Sequence, residues 1–244
     1  MHPAEPRVGR TAFFGGSFDP PHRGHVAVAR AAREALGLDT VLFAPVGAQP
    51  LKVSGPRASF EHRLAMTQLA IAGEPGFAVS TADAPRPSGA PNYTVETLER
   101  LRGELPAGSE LYCLMGADSF ANLRAWWRAS ELPFVAPLIV ASRPGEPLDR
   151  LAALLPDGIS MDAEPQRVGN GALELRCAML RNAVGATAPF YLLPGLHVEI
   201  SASEIRVQLR NRPQFRTALD TRAQAEELLP AAVGGYIREH GLYV

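Results

Sequence analysis

Short apolar runs alternate with amphipathic stretches over residues 10–141 of the chain. Consecutive apolar residues bounded by glycine or proline are typical of buried strands, whereas apolar residues at helical spacing predict helices. The pattern predicts strands over 11–14, 40–44, 77–81, 110–115 and 138–141, and helices over 22–36, 58–72 and 94–102. Strands that alternate with helices predict an α/β fold with a doubly wound parallel sheet.

The second half of the chain departs from this alternation. Residues 146–188 contain proline, glycine and one helical pattern, so we expect an insertion or lid there. A last strand is predicted over 190–193, and helices are predicted over 203–209 and 226–240. We therefore expect one α/β domain over 10–200, C-terminal helices over 201–244 packed on it, and a disordered tail over 1–9.

The composition is that of a globular protein, with 46% hydrophobic and 20% charged residues. A net charge of −1 argues against a protein built mainly to bind nucleic acid or an anionic membrane. Since no run of eighteen apolar residues occurs, no transmembrane helix is predicted. The N-terminus also lacks the apolar segment of a signal peptide, so we expect the protein in the cytoplasm. The two cysteines, Cys113 and Cys177, are too few for a disulfide framework.

The first predicted strand runs into the sequence GGSFDPPHRGH at residues 15–25. Glycines at a strand-to-helix turn allow close backbone approach, and the N–H groups at the start of a helix favour anions. His22 and His25 lie on one face of the first helical turn, which we expect to be exposed. They could bind phosphoryl oxygens or zinc, but the further ligands that zinc needs do not occur nearby in sequence. The pattern therefore predicts a phosphate site.

Lys52 is the one lysine among 24 basic residues. The arginine bias itself is typical of a genome that favours arginine codons and says nothing about function. A lysine that persists against this bias is a candidate phosphate ligand, and the alternative is a solvated loop residue.

The sequence at residues 15–25 resembles the GGxFDPxHxGH signature of the nucleotidyltransferase superfamily, whose HxGH element binds the triphosphate. Residues 200–206, ISASEIR, resemble its second element, ISxTxIR, with Ser203 in place of threonine. The hydroxyl of Ser203 could still cap a helix, and Arg206 on the first turn can pair with phosphate. The resemblance implies a Rossmann-like fold.

Further segments resemble the bacterial nicotinate-nucleotide adenylyltransferases. NYTVETL at 92–98 is similar to the SYTxxTL of that family, and GAD at 116–118 is similar to its GxD, followed by two tryptophans. Ser142-Arg143-Pro144-Gly145 is similar to its RPG, and LLPAAVGGYIREHGLY to its C-terminal helix. The resemblance covers nearly the whole chain from residue 10, with 146–188 matched least. One departure is Leu51, which precedes Lys52 where the family usually has histidine.

This resemblance implies the transfer of an adenylyl group from ATP to nicotinate mononucleotide, with Mg²⁺ held mainly by the ATP phosphates and water. It implies catalytic roles for His22, His25, Lys52 and Arg206. It implies ATP binding by Gly15, Gly16, Ser17, Phe18, Gly116, Asp118, Arg143, Ile200, Ser201 and Ser203. It implies nicotinate-nucleotide binding by Thr94, Trp126 and Trp127. No metal ligand is assigned to the protein, and a homo-oligomer is left open.

Several of these residues also have a purely structural interpretation. The two tryptophans could form a helix face packed into the core, which is common for this residue type. Asp118 and Thr94 could cap helices. Arg63 and Arg86 could be either phosphate ligands or surface charges, and the sequence does not decide between these roles.

Three rival functions are weighed against the adenylyltransferase. A phosphopantetheine adenylyltransferase shares both signature elements, but it is a shorter chain without the segments at 92–98, 126–127 and 143–145. A nucleotide-sensing protein of the same fold would bind ATP without turnover. The catalytic core of a class I tRNA synthetase needs a lysine-rich second element, which a chain with Lys52 alone does not supply.

We predict that Lys52→Ala and Lys52→Glu lower kcat/KM for adenylyl transfer, whereas Lys52→Arg keeps part of the activity. A point charge on a flexible stem is partly replaced by a guanidinium and not by a methyl or a carboxylate group. Steady-state kinetics give the effect, and thermal melting serves as the control because the melting temperature should change little. A kinetically silent Lys52→Ala would show that the lysine is an ordinary loop residue.

Overall fold

A mixed β-sheet lies at the centre of the fold in the computed structural model, which describes residues 8–48, 55–142, 148–162, 165–168, 175–193, 201–210 and 227–244. Its parallel part consists of β1 (Arg10–Gly16), β2 (Thr40–Pro45), β3 (Phe77–Val79), β4 (Glu110–Gly116) and β5 (Leu138–Ala141). These strands lie in the order β3-β2-β1-β4-β5. The chain thus proceeds from β1 to one side of the sheet and later returns to its other side, as in a doubly wound sheet. The predicted fold class is confirmed.

The sheet continues beyond β5 with the predicted last strand and with three strands that the sequence pattern did not predict. Here β6 (Ile159–Met161), β7 (Gln166–Val168) and β8 (Leu175–Asn182) precede β9 (Thr187–Leu193) in the chain. β9 pairs parallel with β5, β8 pairs antiparallel with β9, and β6 and β7 pair antiparallel with β8. β6 and β7 are very short and only partly buried, so neither has the apolar signature of a strand. The function of this segment as a lid stays a prediction.

Helices cover both faces of the sheet. They are α1 (Arg23–Leu36), α2 (Phe60–Ala70), α3 (Thr94–Glu104), α4 (Ala117–Ala121), α5 (Leu132–Val135), α6 (Leu148–Ala152), α7 (Ala202–Arg210) and α8 (Ala231–Glu239). The predicted helices over 58–72 and 226–240 are therefore shorter than expected, and α8 begins after Pro230, a residue that favours a helix start. The predicted tail over 1–9 lies mostly outside the described residues.

Two apolar cores result, one on each face of the sheet. Neighbouring residues of β1 point to opposite sides, so that Phe14 packs in the core beneath α1, α2, α7 and α8, whereas Phe13 packs in the core beneath α3, α4 and α5. Ile205 and Ile237 bring the C-terminal helices into the first core. In the part of the chain that the structure describes, no helix has the length and apolar composition needed to cross a membrane.

Candidate functional site

A cleft of about 1320 Å³ lies at the carboxyl ends of β1 and β4, where the winding of the chain changes direction. This edge is where ligands bind in open α/β sheets, because loops from both sides diverge there. Every predicted site residue that the structure describes lines this cleft. They are Gly15, Gly16, Ser17, Phe18, His22, His25, Thr94, Gly116, Asp118, Trp126, Trp127, Ser201, Ser203 and Arg206. Lys52, Arg143 and Ile200 lie outside the described residues.

The two glycines at the end of β1 make room for aromatic rings. A Cβ atom on Gly15 would lie 2.7 Å from the ring of Phe13, and one on Gly16 would lie 3.2 Å from the ring of Phe18. Phe18 is 2% exposed and has a φ of 46°, a left-handed conformation that is unusual for a bulky residue. Such a conformation persists where the surrounding packing imposes it, and it is found preferentially at functional sites.

His22 and His25 are stacked on each other beside this loop, with ring centroids 3.7 Å apart. The backbone N–H of His22 donates to Nδ1 of His25 over 3.2 Å. Because Nδ1 accepts this hydrogen bond, a neutral His25 carries its proton on Nε2. The expectation of an exposed turn was wrong, because His22 is only 5% exposed and His25 packs against Phe14 and Phe18.

The burial of the two histidines determines their charge. It lowers the pKa of His22 to about 4. Burial, and then the neighbouring imidazole of His22, lower the pKa of His25 well below the usual value. Both rings are therefore neutral at pH 7 and can act as hydrogen-bond donors, but not as cations. Nδ1 of His22 is fully buried, and it has no hydrogen-bond partner among the described residues.

Asp19 connects this loop to distant parts of the chain, and it is 3% exposed. Its Oδ2 accepts the N–H of Arg57 at 2.7 Å, and its Oδ1 accepts the N–H of Ala58 at 3.1 Å and the hydroxyl of Tyr243 at 2.7 Å. Nη1 of Arg206 donates to the Asp19 carbonyl at 2.6 Å and lies 3.7 Å from Oδ2. The sequence analysis did not single out Asp19, although it stands inside the GGSFDPPHRGH motif.

Arg206 extends from the start of α7 into the cleft. Its Nη2 donates to the hydroxyl of Ser203 at 3.0 Å. The hydroxyl of Ser201 accepts the N–H of Ser203 at 3.2 Å. Ser201 rather than Ser203 thus supplies the side chain that caps α7, and Ser203 instead orients the guanidinium.

Two arginines whose roles were left open are now placed. Arg63 is 1% exposed and donates to the carbonyl oxygens of Ser17 at 2.8 Å and Val46 at 2.7 Å. Arg63 is therefore not a surface charge, because its guanidinium is hydrogen-bonded to the residues that follow β1 and β2. Arg86 forms a half-exposed ion pair with Glu96 at 2.7 Å and is a surface charge.

The opposite wall of the cleft is formed by the start of α3 and the turn after α4. Thr94 is the first residue of α3, and Tyr93 rather than Thr94 occupies the N-cap, where no side chain caps the helix. Trp126 is half-buried against the core, so it serves in packing as well as in lining the cleft. Trp127 is 58% exposed, and its ring centroid lies 5.7 Å from that of Tyr93.

A buried carboxyl group lies beneath this wall. Asp83 is 3% exposed and accepts the hydroxyl of Thr97 at 2.5 Å. Burial raises the pKa of Asp83, and burial followed by the charge of Asp83 raises the pKa of Cys113 to about 12. The Cys113 thiol is therefore unreactive at neutral pH and serves as a small core residue, as predicted.

Comparisons with known proteins agree with this arrangement. Residues 13–208 match the Cytidylyltransferase-like family. A protein of Gloeobacter violaceus named "Probable nicotinate-nucleotide adenylyltransferase" is 37% identical over 96% of each chain, and one of Stenotrophomonas maltophilia with the same name is 38% identical over 95% of each chain. A structure of Plasmodium falciparum nicotinic acid mononucleotide adenylyltransferase complexed with NaAD aligns with 96% of this chain and 97% of its own, with a TM-score of 0.66. Its sequence identity of 16% means that this likeness shows the fold alone.

We predict that Tyr243→Phe lowers the free energy of unfolding by about 1–3 kcal/mol, because the buried Asp19 carboxylate loses one donor and gains no water in its place. Tyr236→Phe is the matched control. Its hydroxyl contacts Nδ1 of His62 at 3.0 Å in a half-buried position, so its loss should matter less. Urea unfolding measures both variants, and equal effects would contradict the special role of the Asp19 contact.

We also predict that stability falls as the pH drops from 6.5 toward about 4. The folded-state pKa of His22 lies below its value in the unfolded chain, so the unfolded state binds more protons in this range and stability is full only above it. His22 alone contributes about 3 kcal/mol to this loss. Urea unfolding at several pH values tests the slope, which should be shallower in His22→Asn. Identical slopes in the two proteins would overturn the assignment.

Proposed function

The chain belongs to the cytidylyltransferase-like family and, within it, to the nicotinate-nucleotide adenylyltransferases, and we propose that it transfers the adenylyl group of ATP to nicotinate mononucleotide. A phosphate oxygen of the mononucleotide attacks the α-phosphorus of ATP, the bond from that phosphorus to the β-phosphate oxygen breaks, and pyrophosphate leaves. The products are pyrophosphate and nicotinate adenine dinucleotide, an intermediate of NAD synthesis. The observation that supports this most is that the described motif residues from across the chain all line one cleft.

The reaction makes modest demands on the protein. The second pKa of a phosphate monoester is about 6, so the attacking phosphate is already ionised at neutral pH and needs no protein base. The site must instead hold two anions in line and stabilise the charge that develops on the leaving pyrophosphate. In our proposal the N–H groups of His22 and His25 donate to the phosphates of ATP.

Positive charge must come from other residues, because the two histidines are neutral. Arg206 lines the cleft and is oriented by Ser203 and by the carbonyl of Asp19. Arg57, which the sequence analysis missed, also lines the cleft, and its backbone is held by the Asp19 carboxylate. Together with Lys52, these side chains would neutralise the pyrophosphate.

Magnesium fits this site as an ion that arrives with ATP. Among the described residues, no three histidine, cysteine or acidic side chains form a group that could hold a metal ion. Mg²⁺ in nucleotide sites is bound mainly by phosphates and water, with one or two carboxylates, and Asp118 lines the cleft as such a carboxylate. The ion would supply charge neutralisation between the phosphates.

The nicotinate moiety would bind at the start of α3. No side chain caps this helix, so its first N–H groups are free to donate hydrogen bonds to a carboxylate. Trp126 would stack on the pyridine ring, and backbone N–H groups near Thr94 and Trp127 would hold the carboxylate. Hydrogen bonds to a charged acceptor are roughly twice as strong as neutral ones, and an amide would turn its own NH₂ toward a donor. These N–H groups should therefore favour the acid over the amide.

We predict that the protein releases pyrophosphate from Mg²⁺–ATP with nicotinate mononucleotide, and that kcat/KM for the acid exceeds that for nicotinamide mononucleotide by about tenfold or more. A coupled pyrophosphate assay compares these two substrates with phosphopantetheine. Preferential turnover of phosphopantetheine would favour the rival adenylyltransferase, and nucleotide binding without pyrophosphate release would identify a sensor. Equal rates for acid and amide would contradict the proposed nicotinate pocket and would leave the proposal of adenylyl transfer intact.

The same assay tests the histidines. His25→Ala should lower kcat/KM. The expected loss of transition-state stabilisation is about 2–4 kcal/mol, which is the effect of losing one oriented donor. His240→Ala is the matched control, since His240 is exposed at the end of α8, outside the residues that line the cleft. Near wild-type turnover of His25→Ala would remove His25 from the mechanism.

A further inference from the structure

Arg128, the residue directly after the two tryptophans, is bound by two carboxylates at once. Its Nη1 and Nη2 donate to Glu99 at 3.0 and 2.6 Å, and its Nε and Nη2 donate to Glu131 at 3.0 and 2.6 Å. Both contacts are bidentate, which is the geometry that fixes a guanidinium most firmly. Glu99 belongs to α3 and Glu131 precedes α5, so Arg128 connects the tryptophan turn to the elements on both sides.

The backbone of Arg128 has an unusual conformation. Its φ of 52° is one that residues other than glycine adopt at a cost of roughly 1–2 kcal/mol, and it re-aims the chain directly after Trp127. Here the side chain restrains the backbone, because both carboxylates hold its guanidinium. Arg128 also lines the cleft beside Trp126 and Trp127.

The packing of α3 on α5 does not depend on Arg128. Nη1 of Arg102 on α3 donates to the carbonyl of Val135 on α5 at 2.6 Å, and Leu98 and Leu132 are buried in the same core. Glu99 and Glu131 remain 41% and 52% exposed, so neither ion pair belongs to the core. Removal of an ion pair should therefore loosen the tryptophan turn while the fold persists.

We propose that Arg128 is a positioning residue that holds the Trp126–Trp127 turn at a fixed distance from the start of α3. The turn and the helix start form the two sides of the subsite that we assign to the pyridine ring, so the proposal rests on the proposed function. The Glu99–Arg128–Glu131 cluster organises this wall before substrate binds. It leaves the phosphate side of the cleft, with its histidines and Arg206, unaffected.

The chain offers a direct optical readout of this proposal. It contains two tryptophans, Trp126 and Trp127, so the intrinsic tryptophan fluorescence comes from this turn alone. Without substrate, Glu99→Gln should increase the acrylamide quenching of the half-buried Trp126 and broaden the emission, because the turn opens more often, whereas Trp127 is already 58% exposed and should change less. Glu74→Gln breaks the comparable Arg30–Glu74 pair elsewhere and is the matched control. Salt of about 1 M, which screens exposed charges, should move the wild type toward the variant and change the variant less, because the variant keeps only the Arg128–Glu131 pair.

The kinetic test separates positioning from general damage. Glu99→Gln should raise KM for nicotinate mononucleotide by about three- to tenfold, while KM for ATP, kcat and the melting temperature stay close to wild type. Arg128→Lys should rescue only part of the effect of Arg128→Ala, because an ammonium group cannot meet two carboxylates in bidentate fashion.

The possible outcomes separate this proposal from the proposed function. Unchanged quenching in Glu99→Gln, or equal changes in KM for both substrates, would overturn the role of Arg128. Increased quenching in a protein that fails to adenylylate nicotinate mononucleotide would uphold the restraint on the turn and refute the substrate assignment. Increased quenching together with a selective rise in KM supports both.

Discussion

A carboxylate that is 3% exposed needs donors on every side, and Asp19 obtains them from three separate parts of the chain. The backbone of Arg57 and Ala58, the hydroxyl of Tyr243 and the guanidinium of Arg206 all lie around this one group. Each partner belongs to a different segment: the residues just before α2, the C-terminal residues and α7. The buried charge therefore determines how these segments converge, since leaving it unpaired would cost several kcal/mol.

The two sides of the cleft follow different physical rules. On the phosphate side, His22, Asp19 and Arg63 are all buried, and each polar position depends on the packing around it. On the other side, the tryptophan turn is held by exposed ion pairs that water and salt can weaken. The polar groups around Asp19 are therefore held in place by the packing of the core, whereas the position of the tryptophan turn depends on ion pairs at the surface.

The sequence alone predicts the parallel half of the sheet, because β1, β2, β4 and β5 are buried and read as continuous apolar runs. The motif at residues 15–25 also predicts the position of the cleft. β6 and β7 escape prediction because they are three residues long and owe their form to pairing with β8. Tertiary packing, and not local pattern, decides such strands.

The charge state of the histidines and the roles of several arginines were equally beyond sequence reasoning. His25 packs against Phe14 and Phe18, and His22 packs against His25. The pKa of a buried imidazole follows these surroundings, which the sequence does not show. Nothing in the sequence distinguishes Arg63 from a surface arginine, because its partners, the carbonyl groups of Ser17 and Val46, lie far from it along the chain. Arg128 meets Glu99 across 29 positions, a pairing that no periodicity encodes.

The neutral imidazoles also bear on how the reaction ends. Pyrophosphate carries more charge per phosphorus than ATP does, so two further cations at the histidine positions, added to Arg206, Arg57 and Lys52, would bind this product more tightly and slow its departure. Neutral N–H donors stabilise the transition state most where charge develops in line with their N–H bonds. They bind a free polyanion only moderately. In the proposed reaction, the burial that keeps His22 and His25 uncharged would therefore favour release of the leaving group and a new cycle of turnover.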